Sequence, residues 1–458
     1  MEDTIAAIAT PPGTGSIGII RVSGPRSRDI ASLIFRPSNK TAGFDSHRLY
    51  HGDIISPDTG RVIDEVLISF MMKPRSYTGE DTLEINCHGS AFILQSVLSL
   101  VIKAGARLAE PGEFTKRAFL NNRIDLSQAE AVAEAIMAKT ERALELAVSH
   151  LKGGLADKIE TIRNAIIDIL ANIEASIDFS DEDIEVGNPP SVARDIEAVI
   201  GELNRLASTY SEGKIYSDGI SAVITGRPNV GKSSLLNRLL GERRAIVTSM
   251  PGTTRDFIEE TIPIRGVPVR LVDTAGIREP QNIIEREGVN LVWEKLSQAD
   301  LVIVVVDGSE SLTKEDDEII KKCRGKKLLL VINKADLPHV VDEQELASLA
   351  QDLIPPIWIS AIHGDGIPDL KDTIHSLALD GVDCGHTLNI VSNIRHKIVL
   401  EKTKDMLSKA RDGMLQGLSP EFPAFDIRQA LERLGEISGE TATDDVLEKI
   451  FSTFCIGK

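Results

Sequence analysis

Cysteine is scarce in this chain, four in 458 residues, and no two stand at Cys-x-x-Cys spacing. That argues against both a disulfide framework and a zinc site, which need clustered thiols. Aromatic residues make up only 4%, and no apolar run reaches the ~18 residues that a membrane-spanning helix needs. The opening "MEDTIAAIATPPG" has neither the basic start nor the apolar core of a secretory leader. The expected compartment is therefore the reducing cytoplasm, with no membrane contact. An excess of positive charge is missing too: 51 Lys and Arg against 69 Asp and Glu give a formal charge of −18. Phosphate contacts dominate nucleic-acid affinity. A chain this acidic that works on RNA needs a local basic patch or a partner that supplies the charge.

What is present is an ordinary globular composition, 42% hydrophobic, in a chain long enough for two or three cores. "SIGIIRVSG" and "VIDEVLISFMM" predict strands and "AFILQSVLSLVIKAG" a helix. From Gly112 to Lys152, Gly154 to Phe179 and Val192 to Ser211 the texture is helical, rich in Ala, Leu and Glu. The acidic "DFSDEDIEVGNPP" between the last two reads as a solvated loop rather than a metal site. At Gly219 short, nearly all-apolar runs begin, "ISAVITG", "LVIVVVD" and "LLLVIN", as in strands buried on both faces of a parallel sheet. Helical stretches alternate with them to about Leu379. Long amphipathic helices follow over Leu388–Gln416 and Ile427–Phe454. The fold class is multidomain. An α+β N-terminal domain spans 1–118, an all-α domain lies in two pieces (119–217 and 381–458), and an α/β P-loop domain (218–380) is inserted between them.

"GRPNVGKS" (Gly226–Ser233) follows the strand "ISAVIT" and precedes "SLLNRLL", the context that a Gly-x-x-x-x-Gly-Lys-Ser/Thr phosphate loop requires. Its glycines let backbone N–H groups of Asn229, Val230, Gly231 and Lys232 turn toward phosphate oxygens. Lys232 reaches the β- and γ-phosphates, Ser233 would ligate Mg²⁺, and Ser234 continues the helix start. "DTAG" (Asp273, Thr274, Ala275, Gly276) supplies a carboxylate for the metal's water and an N–H for the γ-phosphate. "NKAD" places Asn333, Lys334 and Asp336 after "LLLVI". The Asp336 carboxylate can accept both N–H donors of guanine, a pair that adenine lacks. Ser360 and Ala361 after "PPIWI" back the base. Four motifs in this order imply a guanine-nucleotide site, for GTP and GDP.

The residue after "DTAG" is Ile277, where Ras-like proteins carry the glutamine that orients the attacking water. Ile277 has no polar atom to do so. Glu285 in "NIIEREG" is the candidate, against its reading as a solvated helix carboxylate. "TSMPGTTRD" (Thr248, Ser249, Met250, Pro251, Gly252, Thr253, Thr254, Arg255, Asp256) reads as the switch loop. Thr254 is its second Mg²⁺ ligand. The loop could also wrap a monovalent cation together with Asn229. Alternatively, Arg255 supplies that charge and Asn229 braces the loop.

The quoted motifs, with "DTIAAIATPPGTGSIGIIRVSG", "YTGEDTLEINCHG", "PGEFTKRAFLNNRIDLSQAEA", "DTAGIRE" and the terminal "FCIGK", resemble the MnmE (TrmE) tRNA-modification GTPases over the whole chain. The resemblance implies an N-terminal folate-binding domain through which two chains dimerise, with GTPase domains that meet on activation. It implies action with MnmG, an FAD protein, to install a (carboxymethyl)aminomethyl group at carbon 5 of the wobble uridine of certain tRNAs. The one-carbon unit would come from 5-formyl- or methylene-tetrahydrofolate. Carried over by position, K⁺ would lie among Asn229, Thr248, Met250 and Thr253, and Glu285 would orient the water. Arg21, Glu84, Arg123 and Lys458 would hold the folate. The competing reading is a regulatory GTPase switch such as a ribosome-assembly factor.

Cys455 stands fourth from the end, in the slot of a prenylation signal, but Gly457 is not aliphatic and Lys458 is not a usual last residue. Two readings stay open for it: a catalytic group beside the folate site, implied by the resemblance, or a small buried thiol. Cys87 and His88 are adjacent without further ligands at metal spacing and read as structural. The basic stretch "RHKIVLEKTKDMLSKAR" reads as a solvated helix face, with tRNA or partner contact as the alternative.

Overall fold

The computed structural model describes residues 3–39, 43–178, 188–241, 259–273, 296–342, 354–381 and 390–458. The chain divides into two compact units, Met1–Ala133 with His150–Val199 and Lys402–Lys458, and Glu134–Ser149 with Ile200–Glu401.

The first unit holds a seven-stranded sheet in the order β3-β4-β5-β6-β2-β1-β7. Its strands are β1 (Ile5–Ile8), β2 (Ile17–Ser23), β3 (Phe35–Pro37), β4 (Arg48–Ile55), β5 (Val62–Met71), β6 (Thr82–His88) and β7 (Arg107–Leu108). All pairs are antiparallel except β1 with β7. Period-two patterning decides which face is covered. On β5, Asp64, Val66, Ile68 and Phe70 are buried while Glu65 and Leu67 are exposed. Helix α1 (Ser27–Ile34) and helix α2 (Ala91–Lys103) supply the cover, the latter through Leu94, Val97, Leu98 and Val101. Helix α2 lies so close that a Cβ at Gly18 would stand 2.5 Å from Leu94 Cδ1.

Helix α3 (Glu113–Leu120) follows, then α4 (Leu126–Met137), α5 (Glu141–Leu151) and α6 (Gly154–Asp178). The helical texture expected over Gly112–Lys152 is three helices, α3, α4 and α5; Thr140 Oγ1 accepts the Ala143 N–H at 3.1 Å and starts α5 afresh. The stretch expected over Val192–Ser211 likewise becomes α7 (Pro189–Ser208) and α8 (Tyr210–Ser217). Helix α6 buries Leu155, Ile159, Ile162, Ile166, Ile169 and Ile173, one stripe at helical spacing.

The second unit holds β8 (Ile220–Thr225), α9 (Lys232–Gly241), β9 (Glu259–Ile264), β10 (Val267–Asp273), β11 (Leu301–Asp307), α10 (Lys314–Cys323), β12 (Leu328–Asn333), β13 (Ile357–Trp358) and α11 (Ile367–Ala378). The sheet order is β13-β12-β11-β8-β10-β9, parallel throughout except for β9 with β10. Every residue of β11 and β12 is buried, as the apolar runs demand. Thr225, Asp273, Asp307 and Asn333 end neighbouring parallel strands. Parallel sheets bind ligands at that carboxyl edge.

Helix α12 (Ile394–Leu415), helix α13 (Glu421–Ser438) and helix α14 (Asp444–Ser452) complete the chain. The expected single helix over Ile427–Phe454 breaks at Gly439, which caps α13 at φ 90°. A Cβ there would meet the Phe119 ring at 2.7 Å, so both the left-handed turn and the close packing select glycine. Helix α13 packs along α6, with Arg428 and Glu174 paired at 2.6 Å.

One charged knot holds the N-terminal domain. Arg117 on α3 has a fully buried side chain and pairs with Asp3 at 2.8 Å, Glu113 at 3.0 Å and Glu80 at 3.1 Å. Arg107 pairs with Asp3 and Glu113, both at 2.6 Å. Burial by itself raises the Glu113 pKa, but Arg107, the Glu110 N–H and Arg117 outweigh it and hold the carboxyl below its usual range. Glu113 therefore contributes stability that is complete above about pH 4.5, its ordinary value, and is lost as pH falls through its lower folded value. Replacing Arg117 by Ala strands buried carboxylates and should cost about 3–5 kcal/mol. Thermal denaturation should show the first transition lowered at pH 7, and a smaller difference from wild type below pH 4; equal transitions at pH 7 would remove the knot from the stability argument.

Candidate functional site

The loop after β8 has the backbone that phosphate binding needs. Gly226 (φ 148°) and Gly231 (φ 98°) occupy the positive-φ region, and Asn229 joins them at φ 65°. A Cβ at Gly226 would fall 2.3 Å from the Val305 carbonyl oxygen, so β11 presses directly on the loop. Val230 is buried and pins its tip, while Asn229 and the α9 residues Ser233 and Ser234 are exposed. Lys232 Nζ donates to the Gly226 and Arg227 carbonyls, each at 2.7 Å, which closes the loop into a ring. The N–H groups at the start of α9 add a partial positive charge at the same place.

Asn333, at the end of β12, joins three loops. Its Nδ2 donates to the Val230 carbonyl at 2.8 Å, and its Oδ1 accepts the Ala361 N–H at 3.0 Å. A Cβ at Gly231 would lie 2.1 Å from Asn333 Nδ2, so only glycine permits this approach. Lys334, at φ 67°, forms an ion pair with Asp307. Burial would raise the Asp307 pKa, yet Lys334 and Ser309 hold it below the usual carboxylate range. The Asp336 carboxyl is lowered chiefly by the Ser360 hydroxyl, with His363 and Lys334 adding to the effect. An ionised Asp336 is acceptor-only and suits the paired donors of guanine. Ser360 is fully buried and accepts the His363 N–H at 3.1 Å. Arg238 Nε on α9 donates to the Ala361 carbonyl at 2.9 Å, a second tie between the phosphate helix and the base loop.

Asp273 ends β10 beside β8. Thr248, Ser249, Met250, Pro251, Gly252, Thr253, Thr254, Thr274, Ala275, Gly276 and Glu285 lie outside the described residues. Asp307 and Arg238 also belong to this frame, outside the four motifs. A lone carboxylate closing the apolar run "LVIVVVD" was the available signal for the former; for the latter, one arginine on an amphipathic helix gave none.

A second group gathers in the N-terminal domain. Arg21 and Glu84 face each other in register on β2 and β6 and pair at 2.9 Å. The Arg21 guanidinium lies 5.4 Å from the Tyr77 ring centre and 5.8 Å from that of Phe114, within cation–π range. Burial raises the Tyr77 pKa, partly offset by the hydroxyl contact with Thr115 and by Arg21. Arg21 Nη1 also donates to the Gly457 carbonyl at 3.4 Å, bringing the C-terminal tail to the pair. The tail needs glycine there, because a Cβ at Gly457 would stand 2.6 Å from the Ile8 carbonyl oxygen at φ 95°. The Cys455 carbonyl accepts the N–H groups of Gly112 and Lys458. Its thiol is exposed, which removes the reading of a buried core thiol. Arg123 is exposed on the α3–α4 connection, and no hydrogen bond or ion pair joins its side chain to Arg21 or Glu84 among the described residues. Cys87 is buried, its thiol pushed up to about 12 by burial and then by Asp64. His88 Nδ1 meets Asp64 at 2.7 Å. Among the described residues no group of three metal-ligating side chains occurs.

Two substitutions test the nucleotide geometry. Asp336→Asn turns one acceptor into a donor, so GDP affinity should fall by about 10⁴-fold while xanthosine diphosphate, whose base offers the complementary acceptor, is favoured. Gly231→Ala should abolish binding of both, because its Cβ displaces Asn333. Fluorescent-nucleotide competition would read both, and retained GDP preference in Asp336→Asn would refute the assignment.

Residues 4–123 match the family model "GTP-binding protein TrmE N-terminus", and residues 126–455 match "MnmE helical domain". The second model runs across the inserted α/β region. The chain is 54% identical over 460 aligned positions to the "tRNA modification GTPase MnmE" of Syntrophus aciditrophicus, covering 100% of each. It is 46% identical to the proteins of that description from Natranaerobius thermophilus and Geobacter sulfurreducens, again covering 100% of each chain. With one family model spanning most of the chain and relatives matched end to end, this chain belongs to the MnmE (TrmE) family of tRNA-modification GTPases.

Proposed function

We propose that this chain is a potassium-activated GTPase that acts with MnmG on the wobble uridine of certain tRNAs, as a cytoplasmic homodimer. The observation that carries the GTPase reading is the Asn333 bracket, which holds the phosphate loop and the base loop at one carboxyl edge of the sheet. Bound GTP supplies the phosphoanhydride bond that is cleaved. Lys232 and the loop N–H groups bind its phosphates; Ser233 and Thr254 would hold Mg²⁺, with Asp273 acting on the metal through water. Asp336 selects guanine.

Asn229 is exposed in the loop at positive φ, and its amide oxygen suits K⁺ together with Thr248, Met250 and Thr253. Bound there, K⁺ would supply the charge neutralisation that an arginine finger gives elsewhere. Glu285 orients the attacking water, work that Ile277 has no polar atom to perform.

The Arg21–Glu84 pair fits a folate: a cation suits the glutamate carboxylates, and a carboxylate accepts pterin N–H groups. Lys458 and Arg123 add charge, and the exposed Cys455 thiol takes part in the one-carbon chemistry. We place the dimer contact on the N-terminal domain, whose sheet leaves Ile17, Leu49 and Leu67 exposed. The three-part division at 118, 217 and 380 belongs to the same reading. No feature of the chain favours the alternative of a regulatory switch such as a ribosome-assembly factor.

Glu285→Ala should keep GTP affinity and lose turnover, and wild-type turnover should be far faster in KCl than in NaCl. Equal rates in both salts would sink the cation assignment. The decisive experiment is nucleoside mass spectrometry of tRNA from cells lacking this chain, rescued with wild type or Cys455→Ser. Wild type alone should restore the modified wobble uridine. A nucleoside that never disappears would refute the tRNA reading, and full rescue by Cys455→Ser would remove the thiol from the chemistry.

A further inference from the structure

The second unit contains a cleft of about 660 Å³ that the mechanism above does not use. Its size is within the ~300–1,000 Å³ of small-ligand sites. The lining brings together Arg238 of α9, Arg265 on the β9–β10 turn, His363 after the base loop and Lys371 of α11, with Thr140 and Glu141 at the start of α5. Three permanent cations thus share one cleft with a single lining carboxylate, in a chain whose formal charge is −18. Such convergence opposes the general acidity and concentrates positive potential where a concave wall focuses it.

The arginines are held in place before any ligand arrives. Arg238 is fixed through Nε by the Ala361 carbonyl, which leaves both terminal nitrogens without an acceptor among the described residues. Gly364 flanks this guanidinium, and a Cβ there would lie in ordinary contact, 3.7 Å from Arg238 Cζ. Arg265 adopts φ 49°, a conformation that non-glycine residues seldom take. Its Nε is anchored by Asp372 at 2.5 Å, and the remaining nitrogens of the fork stay available. Guanidinium forks match the oxygens of a phosphate.

We propose that this cleft is a phosphate-binding site, separate from the nucleotide loop, with Arg238, Arg265 and Lys371 as its ligands. The same chemistry is offered by a free polyphosphate and by an RNA backbone. The second source would supply the local basic patch that an acidic tRNA enzyme requires. The site does not rest on the folate or potassium assignments.

The test uses the full chain saturated with GDP in magnesium-free buffer, so that the phosphate loop is occupied. Calorimetric titration with sodium tripolyphosphate is compared between wild type and an Arg265→Gln, Lys371→Gln double variant. Filter binding of unmodified tRNA is measured on the same proteins across a salt series. The variant should keep GDP affinity and basal GTPase activity, which also shows that it folds. If tripolyphosphate binds wild type and weakens by about tenfold or more in the variant, the cleft takes a free polyanion. If tRNA affinity falls instead and its salt slope drops by about 1 per lost contact, the phosphate comes from RNA. Unchanged behaviour of both probes in the variant would overturn the site and leave the GTPase reading untouched.

Discussion

The carboxamide of Asn333 is the constraint on which the nucleotide end of this protein depends. One donor and one acceptor on a single rigid group fix the separation of the phosphate loop, through Val230, and of the base loop, through Ala361. Its backbone is in turn held at the end of a strand buried along its whole length. Because the group is buried, losing either hydrogen bond would leave a polar atom unpaired away from water, at about 1–3 kcal/mol each. The geometry also dictates Gly231, since no side chain fits against the amide. Arg238 and the Lys334–Asp307 pair repeat the same logic with charge, so that the ends of three parallel strands and one helix act as a single frame.

The N-terminal domain solves a related problem with a different device. Its sheet packs one face on α1 and α2, while the opposite face buries Ile5 and Ala7 against Phe114 of α3 and carries the paired Arg21 and Glu84. Arg21 is steadied by two aromatic rings and reaches the tail carbonyl of Gly457, 436 positions away in sequence. The buried Arg117 knot fixes α3, whose Phe114 supplies one of those rings. Placement of the tail thus depends on a charged cluster that never touches it.

Much of this was legible in the sequence because local physics was decisive. The apolar runs of β8, β11 and β12 read as strands buried on both faces, and the glycine loop between β8 and α9 carries the phosphate-loop pattern in its strand–loop–helix context. Helix extents were less legible. Composition from Leu126 to Leu151 and from Ile427 to Phe454 favours continuous helix. The breaks are set by a threonine cap in one case and by the approach of Phe119 to Gly439 in the other. Neither leaves a period in the sequence. The exposure of Cys455 was likewise invisible, because the same tail would suit a core as well as a surface.

The sequence by itself determined the chemistry on offer: a glycine loop of phosphate-binding pattern, a carboxylate in the guanine motif, and a tail ending in cysteine and lysine. Those depend on residue type and short spacing, which the linear chain carries in full. Tertiary structure alone decided which distant groups meet. It set Asn333 against Val230, Arg21 against Gly457, and three cations around one cleft in an acidic protein. These juxtapositions come from register and packing between elements far apart in the chain, where no local pattern constrains them.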